Sequence, residues 1–279
     1  MPRKGCDPVF RERNGGHVNA ANTYGEYLRS FTAAQCRQLN LALIKHSLRL
    51  RHAMHHKKVE FILNIDSTTH VQSGKKMEGL HFDYKNQWGL DSIEAYDQFG
   101  YPYWLDVRRG GTFTANGSTE IIHQVFSQVS RKLLRYLRAD SGYCNLDVFN
   151  ACWDKNVKFV MAMRHNMYEP LIKRVHNWRP AKTIIFRDGR NCEIGHTVYY
   201  PKGGRQTLRV TLIRALRTGE QHYALFDDVR YDYHAFVTNI GHHEMENEEL
   251  IHFYQDRGNC ENFIREIKNG FDLKHFLCQ

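Results

Sequence analysis

Two apolar stretches of the chain each run into an aspartate and then into small polar residues. Residues 59–65 lead into Asp66-Ser67-Thr68-Thr69, and residues 133–139 lead into Asp140-Ser141-Gly142-Tyr143. Short apolar runs closed by turn residues predict strands. An acid at the exit of a strand is a common way to set a carboxylate at a sheet edge, and here the arrangement occurs twice. The repetition favours folds in which two strands present their acids together.

The segments around these strands fall into an order. A hairpin is predicted from strands at 92–98 and 101–107, joined at Phe99-Gly100, and a basic loop, Arg108-Arg109-Gly110-Gly111-Thr112, closes it. Asn116-Gly117-Ser118 opens a helix to about residue 132, with Ile121, Ile122, Val125, Phe126 and Val129 as its buried stripe. After Asp140 come a helix over 145–155 and a strand over 157–163, where Val157, Phe159, Met161 and Met163 alternate. Upstream, Thr32 or Ser30 caps a helix over 33–55 whose end is strongly basic.

Residues 165–240 change character. Turn signals at Arg187-Asp188-Gly189 and Pro201-Lys202-Gly203-Gly204 punctuate alternating runs at 207–212, 223–226 and 234–240, the pattern of an all-β insertion. Trp178, near its start, is expected in the core, with stacking on an unpaired base as the other reading. The chain thus divides into a helical segment 1–58, a first part of the core at 59–164, the β-rich insertion at 165–240, and a helix-bearing segment 241–279 that completes the core.

Within the last helix, predicted over 244–271, Tyr254 is followed by Arg257, Glu261 and Lys268 at offsets of 3, 7 and 14 residues. At about 100° per residue these four share one strip of a single helical face. A carboxylate between a guanidinium and an ammonium suits a phosphate chain held beside a metal, with Glu261 as ligand and Arg257 and Lys268 as clamps. The same spacing also describes a salt-bridged surface helix.

Composition narrows the function classes. The formal charge is +9, and residues 165–240 hold 12 Lys+Arg against 7 Asp+Glu, which suits a polyanionic partner such as nucleic acid. At 42% hydrophobic and 13% aromatic the chain can bury a core, which excludes wholesale disorder. No run of about 18 apolar residues is present to span a membrane, and the polar, basic start lacks the apolar core of a secretory signal. Seven cysteines without a C-x-x-C pair read as reduced cytosolic thiols. Gly110-Gly111 lies in neither a P-loop nor a dinucleotide pattern.

Strand, hairpin, helix, strand, helix, strand, insertion and long helix is the order of the ribonuclease-H-like topology. The fold class expected is therefore α/β: a mixed sheet flanked by helices, interrupted by an all-β insertion before the last catalytic helix. In such a sheet the first and fourth strands are neighbours, so Asp66 and Asp140 come close, with Glu261 on the helix beside them. Carboxylates about 4 Å apart repel by about 4 kcal/mol at an effective dielectric of roughly 20. They share protons or bind divalent cations, and oxygen donors suit Mg2+ or Mn2+.

Asp66 in Asn-Ile-Asp-Ser-Thr, Asp140 in Arg-Ala-Asp-Ser-Gly-Tyr, and the Tyr-x2-Arg-x3-Glu-x6-Lys run at 254–268 together resemble the DDE transposases of bacterial insertion sequences, in the group with that Tyr-Arg-Glu-Lys signature. The resemblance covers residue 59 to the C-terminus, and the family carries a β-rich insertion in the same place. It implies cut-and-paste DNA transposition. Asp66, Asp140 and Glu261 would be the catalytic residues and hold two Mg2+ or Mn2+ ions. Water would cut at the transposon end, and the freed 3′-hydroxyl would open the second strand through a hairpin and then attack target DNA. Tyr254, Arg257 and Lys268, joined by Arg265 and Arg109, would hold DNA phosphates. The implied partner is double-stranded DNA, as transposon ends and target, bound by a homodimer at the nucleoid in bacterial cytoplasm.

Members of that group extend further at both ends than this chain, which has residues 1–58 before the core and 262–279 after Glu261. The difference motivates an alternative: a truncated, non-catalytic DNA-binding regulator of a full-length transposase. A third reading is a stand-alone nuclease of the same fold.

Overall fold

The computed structural model describes residues 30–55, 60–72, 77–83, 85–218 and 230–270, and residues 12, 23, 26 and 27 before them. The side chains of Ile267 and Lys268, and the strand expected at 223–226, lie outside the described residues. The chain divides into two compact units, Met1–Ala42 and Leu43–Gln279. Helix α1 (Ala33–Met54) begins in the first unit behind a reciprocal cap. Thr32 Oγ1 accepts from Gln35 N (3.3 Å) and Gln35 Oε1 accepts from Thr32 N (2.8 Å), which satisfies two donors left open at a helix start.

In the second unit the strands are β1 (Phe61–Val71), β2 (His81–Phe82), β3 (Trp88–Asp97), β4 (Pro102–Arg108), β5 (Arg135–Ala139), β6 (Lys158–Ala162), β7 (Arg179–Ile185), β8 (Asn191–Tyr199), β9 (Leu208–Leu216) and β10 (Tyr231–Thr238). Helices α2 (Ser118–Gln128) and α3 (Leu146–Asp154) connect β4 to β5 and β5 to β6. Helix α4 (His165–Ile172) precedes β7, and α5 (Asn247–Gln255) and α6 (Gly258–Gly270) end the described chain. Strands β5 and β6 run parallel to β1, β3 runs antiparallel to it, and β4 pairs with the outer edge of β3. This is a mixed α/β sheet of the ribonuclease-H-like kind.

Both faces are covered, and alternation along the strands decides what each face meets. On one face Phe61 meets Phe126 of α2 edge to face (5.7 Å), and Phe159 stacks on Phe149 of α3 (5.1 Å). On the other, Ile62, Tyr136, Val160, Phe236, Ile213 and Ile194 form one apolar cluster with Leu250 and Ile251 of α5. Burying each such side chain stabilises the fold by about 1.5–3 kcal/mol. No helix among the described residues is long and apolar enough to cross a membrane.

The structure changes three local expectations. Asp66 does not leave the first strand. The strand continues to Val71 because β3 pairs with it without interruption from Leu63↔Asp97 to Val71↔Gly89. Pairing with β5 stops at Ile65↔Ala139, so Asp66 is the first residue of β1 beyond the parallel ladder.

Residues 165–240 are not all β. They open with α4, and their described strands extend the core sheet in the order β6-β10-β9-β8-β7. Strand β10 covers the edge that β6 would otherwise expose. The free edge at β7 is blunted in turn, because Glu248 of α5 accepts from Lys182 N and Thr183 N (2.9 Å each).

The last helix is not continuous. Two helices meet at Asp256 and Arg257, where Arg257 N donates to Tyr254 O (2.9 Å) instead of Phe253 O. Phe253 O, the acceptor four residues back, is taken by Arg138 Nη1 at 2.7 Å. A side chain inserted into the helical ladder is a recognised cause of a kink.

Candidate active site

Strand register lays polar side chains in two rows on the sheet face that α5 covers. Asn64 pairs with Arg138 on β5 and with Tyr96 on β3, and one pleat further Asp66 pairs with Glu94 on β3. Asp140 follows Ala139, the last β5 residue in register with β1, and lies two residues beyond Arg138. The parallel ladder therefore brings Asp66 and Asp140 together as its pairing ends.

Each aspartate is fixed by one oxygen. Asp66 Oδ1 accepts from Ser67 N (2.9 Å), and Asp140 Oδ1 accepts from Gly142 N (2.8 Å) as it caps the short turn Ser141–Tyr143. Asp140 Oδ2 has no partner among the described residues. The turn itself is held by Arg164, whose Nε and Nη2 donate to Ser141 O and Gly142 O, both at 3.0 Å. Sequence reasoning passed over Arg164; the available signal was a cation placed just after the strand beside Asp140.

Arg257, 8% exposed, projects from the break between α5 and α6. Its Nη2 lies 2.9 Å from Asp66 Oδ2. Burial pushes the Asp66 carboxyl up to about 6; Arg257 opposes the shift, while Asp140 and Glu261 add to it. The guanidinium is held above its ordinary value, since Asp66, Tyr254 and Asp140 together outweigh its own burial. The carboxyl thus bears the electrostatic cost of the pair. Arg257 Nε is buried and has no hydrogen-bond partner among the described residues.

Glu261 sits in the first turn of α6, exposed, near enough for its charge to weigh on Asp66. Tyr254 packs on Phe236 (4.8 Å), and burial raises its hydroxyl above the ordinary phenol range. Tyr254, Arg257 and Glu261, with Arg187, His234 and Phe236, line a cleft of about 340 Å3. Arg187 is exposed and was not singled out from sequence.

The remaining sequence-predicted residues are not among those that line the cleft. Arg265 is exposed and bonds Asn262 of its own helix. Arg109 is exposed in the turn after β4, its carbonyl accepting from Thr112 Oγ1 (2.5 Å). Neither is among the charges that weigh most on Asp66. The Lys268 side chain lies outside the described residues. Trp178 is a packing residue: the Arg214 guanidinium lies over its ring at 4.3 Å, and Gly195 leaves just enough room for it.

Glu94 was also missed, because its place opposite Asp66 follows from register, which sequence does not print. It is 1% exposed, with Oε1 accepting from Ser92 Oγ (2.8 Å) and Oε2 from Tyr96 OH (2.6 Å). Both oxygens are thereby occupied, which sets Glu94 apart from Asp140 and Glu261.

Among the described residues no three His, Cys, Asp or Glu side chains are gathered closely enough to hold a metal ion. The donor chemistry nonetheless fits a hard divalent cation. An open oxygen on Asp140, the exposed Glu261 and a partly buried Asp66 loaded with negative neighbours are what such a cation would satisfy. In this arrangement Arg257 supplies the positive charge at Asp66 Oδ2.

A sequence comparison with curated proteins finds no match. With Asp66 on β1, Asp140 just past the end of β5 and Glu261 near enough for its charge to act on Asp66, the chain matches the family described as Transposase DDE domain group 1 over residues 6–279, and it belongs to that family.

Proposed function

We propose that the protein is a metal-dependent DNA strand-transferase that cuts the ends of an insertion sequence and joins them to target DNA. What supports this reading is that Asp140 and Glu261 lie near enough for their charges to act on Asp66, beside a buried Arg257 whose Nε lacks a partner among the described residues. Asp66, Asp140 and Glu261 are the residues to hold Mg2+ or Mn2+. A cation bound there supplies the charge that activates a water or 3′-hydroxyl and steadies a leaving oxygen.

The chain's own residues do the rest. Ser67 N and Gly142 N fix the two aspartates, so the carboxylates need no rearrangement of their own backbone. Arg257 presents a buried N–H with no partner among the described residues, and a phosphate oxygen fits it as a charge-assisted acceptor. Tyr254 and Arg187, lining the same cleft, extend the phosphate contacts, and Lys268 is placed with them on sequence grounds. Exposed Lys173, Arg174, Arg179 and Lys202 suit a DNA backbone running past β7 and β8. A homodimer assembled on paired DNA ends is the implied working form.

The test is cleavage and joining of labelled DNA carrying the element's ends, with Mg2+ or Mn2+, by wild type and Glu261→Gln. Metal-dependent 3′-hydroxyl ends and joined products, absent with the variant, are the expected result. Hydrolysis without joining would mark a nuclease, and binding without cutting by either protein would leave the regulator reading in place.

A further inference from the structure

The break between α5 and α6 is met by a side chain from β5. Arg138 is 3% exposed, and its guanidinium makes two bonds in different directions. Nε donates to Asn64 Oδ1 (2.8 Å) on β1, and Nη1 donates to Phe253 O (2.7 Å) in the last turn of α5. The guanidinium also lies over the Phe253 ring at 5.1 Å. Asn64 in turn donates to Tyr96 O on β3 (3.4 Å). Arg138 and Asn64 together therefore tie three strands to the end of a helix.

Its position is the informative part. Arg138 and Asn64 each stand two residues before an aspartate of the site, on the same sheet face and one pleat below Asp140 and Asp66. Phe253 O is the acceptor that Arg257 N would use in an unbroken helix. With that carbonyl engaged, Arg257 N turns to Tyr254 O, Cys260 N bonds Arg257 O (2.8 Å), and the chain tightens by one residue where Arg257 must reach Asp66.

We propose that Arg138 is a positioning residue of the site: by capturing the Phe253 carbonyl it breaks the last helix and aims Arg257 at Asp66. The proposal deepens the strand-transferase reading, and only its activity arm rests on that reading. Removing Arg138 frees Phe253 O to accept from Arg257 N, so the helix closes and the Arg257 side chain rotates away. Gly258, next to the break, is the other candidate cause, since glycine weakens helices. A Cβ added at Gly258 meets nothing within 4 Å, so Gly258→Ala is a clean comparison.

Hydrogen–deuterium exchange of wild type, Arg138→Gln, Arg138→Lys and Gly258→Ala decides between them. The expected result is altered exchange confined to residues 253–262 in both Arg138 variants, with β9 and β10 unchanged, and wild-type exchange in Gly258→Ala. Lysine retains the charge but cannot reach Asn64 Oδ1 and Phe253 O in one fork, so it does not restore the break. In the activity arm, cleavage at saturating DNA falls about a hundredfold in the Arg138 variants, while the Kd for DNA moves less than about threefold. Unchanged exchange at 253–262, or a rise throughout the sheet as in a purely structural loss, would overturn the proposal. So would a changed Gly258→Ala with normal Arg138 variants. A wild type that binds DNA without cutting sinks the strand-transferase reading and leaves the exchange result to judge Arg138 alone.

Discussion

Arg257 Nη2 lies 2.9 Å from Asp66 Oδ2, yet the carboxyl of this ion pair is pushed up rather than down, to about 6. Burial, with Asp140 and Glu261 nearby, outweighs the guanidinium. The pair is therefore a site of stored electrostatic cost, of the kind expected where a ligand's charge is to be added.

Stability follows from that shift. The unfolded chain loses its Asp66 proton near 3.8, and the folded one holds it to about 6. Between those values the folded state binds more protons, so stability falls as pH rises through the window and is flat above it. Two units correspond to about 3 kcal/mol. Asp66→Asn removes the dependence and should be more stable than wild type at pH 8 in chelator, by up to about 3 kcal/mol. The two proteins should converge at pH 4 in urea unfolding. An equal difference at both pH values would contradict this.

A divalent cation should relieve the same cost. Mg2+ or Mn2+ at about a hundred times its Kd should stabilise wild type by about 2.7 kcal/mol at pH 8. The gain should shrink at pH 5, where the Asp66 proton competes. It should be absent in Asp66→Asn and reversed by chelator. Thermal unfolding with and without metal reads this directly, and equal gains in wild type and variant would mean the ion binds elsewhere.

The order of strands and helices was legible because apolar periodicity and turn residues are local. The meeting of Asp66 with Asp140 followed from that order. What was not legible depended on partners distant in sequence. Strand β1 runs past Asp66 because β3 is long enough to pair with it. The helix breaks at Arg257 because Arg138, more than a hundred residues away, takes a carbonyl. Glu94 and Arg164 sit at the site through register and a loop contact. Arg109 and Arg265 are exposed, and neither is among the charges that weigh most on Asp66.

Gly142 should be intolerant for reasons of catalysis more than of stability. A Cβ there would stand 2.7 Å from Thr114 Cγ2 and 3.0 Å from Asp140 Oδ1. Either the turn moves or the carboxylate does, and the bond from Gly142 N that fixes Asp140 goes with it. Gly142→Ala should lose about a hundredfold in cleavage at saturating DNA. The accompanying stability loss should be about 1–3 kcal/mol, the usual range for overpacking. Cleavage within about twofold of wild type, with the stability loss present, would show that Asp140 need not be held where it is.

Arg187 gives the simplest test of the cleft as a DNA surface. It is exposed, lines the same cavity as Tyr254 and Arg257, and has no ion pair among the described residues. Its replacement should therefore spare the fold, with a stability change within about 0.5 kcal/mol. If its guanidinium neutralises one phosphate, Arg187→Ala should weaken binding to all sequences alike. It should also reduce the slope of log K against log salt by about 1. Arg265→Ala, on the exposed side of α6, provides the comparison and should leave the slope nearly unchanged. Fluorescence anisotropy with a labelled duplex over a salt series measures both. A slope unchanged by Arg187→Ala but lowered by Arg265→Ala would move the DNA path from the cleft to the outer face of the helix.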